Sequence, residues 1–103
     1  MAGNYDAAPP DALRAEHFEP HIGKRFRFEG ARHVLALDRV QREPGGAGPR
    51  PPFTLVFQGP KEPDPLPEGF YACAVEDGPR FELYVSPIHT PAPDRQDYQA
   101  VFN

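Results

Sequence analysis

A chain of 103 residues with 39% hydrophobic and 12% aromatic content is long enough for one buried core and too apolar to remain disordered. Its fifteen prolines and nine glycines exclude long helices, because proline fixes φ and lacks the amide hydrogen that helices and central strands require. The net charge of −4 is uneven: residues 1–50 hold eight basic and seven acidic groups and residues 51–103 three and eight, giving +1 and −5, and so acidic a second half disfavours nonspecific nucleic-acid binding.

Residues 1–10 are small, polar and proline-terminated, and are expected to form a flexible N-terminal arm ahead of a single β domain over 11–103. They hold Asp6 and no apolar run, so neither a signal peptide nor a membrane span is expected. Asp11 can cap a short helix over 11–18, anchored by Leu13 and Phe18, which Pro20 should stop near Phe18 or Glu19.

From Gly23 the period changes to two. Phe26 and Phe28 alternate with Arg25 and Arg27, the pattern of a strand with one buried face, and 29–31 reads as a turn. In 33–42, Leu35 and Leu37 are in phase and Val40 is not; a bulge near Asp38 would return Val40 to the core. Residues 43–52, with four prolines and three glycines, form a loop. Next comes a central strand with Phe53, Leu55 and Phe57 on one face and Val56 covered on the other. A second loop over 60–67 is pinned by Leu66.

Residues 69–76 and 80–86 flank a turn at 77–79 and make a hairpin, with Tyr71, Cys73 and Val75 sharing one face and Phe81, Leu83 and Val85 another. Pro87, Pro91 and Pro93 mark a third loop, and Tyr98, Ala100 and Phe102 face the core or a partner chain. About six strands and one short N-terminal helix give a mainly β fold, a small antiparallel barrel or two-sheet sandwich.

Several segments together carry a resemblance: 16–23, Phe26 with Phe28, 53–60, 66–71, 81–88 and 98–103. On these the chain resembles bacterial domain-of-unknown-function family 6916, over about residues 13–103. Members are often encoded beside proteins resembling phage tail-collar fibres, which implies a place in or alongside a tail-like surface structure. The family implies no reaction.

No chemistry is assigned to any residue. His17 and His21 are one helical turn apart, but Pro20 breaks the helix and Phe18 stands where a zincin would place Glu; His33 and His89 add no ligand spacing. Ser86, the only serine, lacks the glycines of a nucleophile elbow, and the lone Cys73, between two alanines, reads as a small core residue. A single cysteine also forbids an internal disulfide, so the cytoplasm is the default location. Glu76, Asp77 and Glu82 are read as solvated groups near the hairpin turn, and Gly45, Gly46 and Gly48 precede prolines, not a phosphate-binding helix. The one basic cluster, Lys24, Arg25, Arg27 and Arg32, alternates with phenylalanines placed on the opposite face, so nucleic-acid stacking is not expected.

The expected function is a non-enzymatic structural or assembly module of a phage-tail-like or fibre-like system, without cofactor, catalytic residue, metal, nucleic acid or membrane. Its partner would be a fibre or tail-collar-like protein or a second copy, met through strand edges, the arm and Phe-rich loops. The alternative is a module binding a small ligand or peptide through Tyr71, Tyr84 and neighbouring loops. A hydrolase would need converging titratable groups in a cleft.

Overall fold

The computed structural model describes residues 12–103, so the expected arm and the Asp11 cap lie outside the described residues. A single-turn helix α1 (Ala15–Phe18) runs into a 3-10 turn (Glu19–His21), followed by six strands: β1 (Arg25–Phe28), β2 (Val34–Arg42), β3 (Phe53–Pro60), β4 (Gly69–Val75), β5 (Arg80–Ile88) and β6 (Arg95–Phe102). All pairings are antiparallel, and the order β1-β2-β3-β6-β5-β4 closes on itself through β4 and β1. Of the two expected architectures the barrel is the one formed.

The chain thus makes two three-strand meanders, β1–β3 and β4–β6, joined at β3–β6 and at β1–β4. The ladder closes through all six strands, although Arg80 to Val85 of β5 have no register partner on β6.

Alternation along each strand places its apolar set inside. Phe26, Phe28, Leu35, Leu37, Phe53, Leu55, Phe57, Cys73, Leu83 and Val85 are wholly buried. The β2–β3 register slips between Leu37 and Arg39, leaving Asp38 as the bulged residue and bringing Val40 opposite Leu55 and against the core. Val56, on the opposite face of β3 from Leu55 and Phe57, is buried as well. Leu66 is buried, and its amide donates to the Tyr98 hydroxyl at 3.0 Å, so the 61–68 loop is tied to the interior by a β6 side chain.

The helix is shorter than expected. It begins at Ala15, not near Asp11, because the Arg14 amide is met by His17 Nδ1 at 2.9 Å, which sets the N-terminal boundary about one turn later. It stops at Phe18, ahead of Pro20 in the 3-10 turn. Pro87 departs from expectation too: it lies inside β5, opposite Tyr98, and is not a loop residue. The β4 ladder on the other side of β5 ends at Val85, so beyond that point one flank of the strand needs no amide donor.

Gly59 points inward, and a Cβ there would sit 2.5 Å from Leu35 Cδ2. Gly59→Ala should therefore destabilise the fold by roughly 1–3 kcal/mol through overpacking. Tyr98→Phe, which strands the buried Leu66 amide, should cost about 1–3 kcal/mol. Urea unfolding of both variants checks these values; an unchanged midpoint for either would contradict the packing described.

Candidate functional site

The titratable groups singled out in the sequence do not meet. His17 is exposed and its Nδ1 is occupied by the Arg14 amide, while His21 lies past the helix end against the edge of Phe81, ring centroids 6.2 Å apart. His21 Nδ1 is buried without a partner, and burial, then Lys24, holds the imidazole below its ordinary range. His33 Nε2 lies 3.0 Å from the Asp64 carbonyl, and His89 is exposed elsewhere. Among the described residues no group of three or more His, Cys, Asp and Glu is placed to hold a metal.

Cys73 is fully buried, and burial pushes its thiol up to about 12, which leaves it a protonated core residue. Ser86 is half-buried in β5 opposite Gln99. Glu76, Asp77 and Glu82 are exposed, and Glu76 lies 3.7 Å from Arg25. Within the turn at 77–79, Asp77 takes the left-handed conformation (φ 56°). Gly78 serves closeness instead: a Cβ there would stand 3.1 Å from Val75 Cβ.

What the fold does assemble is an outer wall across β1, β4 and β5. Arg25 and Arg27 project outward because Phe26 and Phe28 project in, so these rings are not available to stack on bases. Arg32 is drawn away by Glu62 at 2.8 Å. Over β1 the wall has a groove of about 490 Å³ lined by Arg25, Arg27, Val34, Ala74, Val75 and Glu76. Small neighbours make it: Arg27 has Ala74 beside it on β4 and Val34 beside it on β2. Arg27 has no ion pair or hydrogen bond to the described residues.

Two aromatic side chains stand on the same wall, four residues along β4 from Ala74 and toward β5. Phe70 and Tyr84 are cross-strand partners on β4 and β5, 59% and 52% exposed, with ring centroids 6.4 Å apart. The Tyr84 hydroxyl donates to Glu68, a bond that, ahead of burial, raises the phenol above its ordinary range. Sequence reasoning missed this pair as a unit. The signal is present, since each ring is out of phase with the buried set on its strand. Tyr71 and Tyr84, expected to act together, are separated by the wall: Tyr71 packs edge-on to Phe28 and donates to the Pro67 carbonyl at 2.6 Å.

With sequence pattern and fold both in place, the family model described as domain of unknown function DUF6916 matches residues 13–102. The chain belongs to the DUF6916 family. The match spans α1 and all six strands, so the barrel and its outer wall lie wholly within the family's boundaries. Comparisons with curated proteins and with solved structures give no match. No helix among the described residues is long and apolar enough to cross a membrane.

The half-buried His21 makes the fold sensitive to acid. A neutral ring is favoured in the folded chain, so the unfolded chain binds more protons near and below pH 6.5; the stability is complete above that pH and is lost as pH falls through it toward the lowered folded value. Urea midpoints from about pH 7.5 to about pH 5.5 should fall more steeply for the natural chain than for His21→Gln. Parallel pH curves would contradict this placement of His21.

Proposed function

We propose that this chain is a non-enzymatic assembly module that docks a protein partner on the outer wall bearing Phe70 and Tyr84. The observation that carries this reading is the pair itself: two large aromatic side chains, more than half exposed on rigid neighbouring strands, form a preorganised apolar contact of the kind enriched in protein interfaces. The barrel interior favours the same reading, because it is filled by side chains and, among the described residues, brings no nucleophile beside a base.

The resemblance suggests which partner to try first, a fibre or tail-collar-like protein, with the chain cytoplasmic until it is incorporated. A second reading, a site for a small ligand or peptide, is favoured by the groove over β1, whose volume falls within the range of small-molecule pockets.

The assembly reading is tested with a Phe70→Ser, Tyr84→Ser double variant co-expressed with a fibre-like protein of the kind encoded beside family members. Because both positions are exposed, the variant should keep its folding stability to within about 1 kcal/mol and lose co-purification at least tenfold. Undiminished co-purification would overturn the reading.

A further inference from the structure

We propose that the β1–β4–β5 wall is a self-complementary, two-fold interface, in which Phe70 and Tyr84 of one chain fill the groove over β1 of a second copy. The inference rests on the assembly reading above and names a second copy as the occupant of that wall.

The strand registers carry the argument. On β4, Phe70 and Ala74 lie two residues either side of Ala72, all three on the outer face. Phe70 has Tyr84 beside it on β5, whereas Ala74 has Arg27 beside it on β1, the opposite flank. Knob and hole therefore sit diagonally across the wall, with Ala72 near the midpoint between them. A two-fold axis lying in the plane of the contact, passing over Ala72 and perpendicular to that diagonal, exchanges the two. It seats Phe70 and Tyr84 of each chain over the Ala74, Arg27 and Val34 row of the other. The knob thus meets the hole twice in one contact, as an isologous interface requires.

Chemistry matches position at each contact. Ala74 and Val34 offer the small, apolar floor that the Phe70 ring needs. Arg27 is a cation without a partner among the described residues, and the faces of aromatic rings attract such a cation. Tyr84 also brings a negative charge with it, since its hydroxyl is bonded to Glu68. Near the axis stands Ala72, with Glu82 beside it on β5 and Arg80 bonded to Glu29 across β4, so the two walls meet there through charged side chains. With four, seven and nine residues, β1, β4 and β5 present roughly 300 Å² in projection, well under the ~800 Å² per partner that a standard stable interface buries. The contact is therefore a weak, concentration-dependent one, suited to an assembly built from several such contacts.

Ala72→Cys places a reporter near the axis. The natural Cys73 is buried and protonated, so it does not compete for a thiol reagent. Treated with a bismaleimide whose spacer is about 10 Å, the spacing of facing sheets, Ala72→Cys should form a covalent dimer, and Val101→Cys on β6 should not. Sedimentation velocity of the natural chain up to about 1 mM should show dimer formation, weakened at least tenfold by Arg27→Glu and by Tyr84→Ser, each checked for an unchanged melting temperature. A natural chain that stays monomeric throughout, or cross-linking at position 101 equal to that at 72, would overturn the proposal. The two readings separate: a monomer that still co-purifies with a fibre-like protein removes the dimer and keeps the assembly reading, whereas a cross-linked dimer without such a partner supports the dimer alone.

Discussion

Phe18 holds together one of the short seams of the barrel. β5 and β6 share three register pairs, Ser86 to Ile88 with Gln99 to Asp97, as β1 does with each of its neighbours, whereas β3 and β6 share eight. Where that short ladder has ended, the Phe18 ring sits 4.4 Å from Phe81 of β5, 5.8 Å from Phe102 of β6 and 5.9 Å from Phe53 of β3. Aromatic packing takes over from hydrogen bonding at this end. The surrounding contacts secure it: Phe53 and Phe102 stack at 4.5 Å, and Arg50 lies over the Phe102 ring and donates to the Leu13 carbonyl at 2.8 Å. On the other side Arg42 grips Glu19 through two bonds of 2.8 Å, fixing the turn that follows Phe18.

A barrel closed in this way has consequences for function. Each strand is paired on both flanks over part of its length, and the inward positions are occupied by Phe, Leu and Val. The proposed recognition is therefore placed on side chains that the alternation turns outward. That condition selects Phe70, Tyr84 and Arg27, because each departs from what an outward position in a solvated strand ordinarily holds: two bare aromatic rings, and a cation beside small neighbours. The titratable residues singled out in the sequence are dispersed, and His21 and His33 each bury an Nδ1 without a partner.

Much of this was legible in the residues. Period-two alternation gave the six strands and their buried faces, and Val40, out of phase with Leu35 and Leu37, located the Asp38 bulge. Closure was not legible, since it depends on β1 pairing with β4 across the whole of β2 and β3, and alternation alone serves a sandwich and a barrel equally. Pro87 misled because proline signals a strand exit only where both flanks need amides. The start of α1 at Ala15 was not legible because it is set by a histidine acceptor, His17, meeting the Arg14 amide. The outer wall escaped notice for a related reason. Phe70 and Tyr84 are adjacent only through the β4–β5 register, and Arg27 joins them only once the barrel has closed.

The account depends most on closure, and cross-strand nuclear Overhauser contacts in the isotope-labelled chain test it most directly. Contacts between the backbones of Phe26 and Val75, and of Ser86 and Gln99, should appear together with those from the Phe18 ring to Phe81 and Phe102. If the β1–β4 and β5–β6 contacts are absent while the β2–β3 and β4–β5 contacts persist, the fold is an open sandwich with free edges, and the assignment of function to the outer wall fails with it.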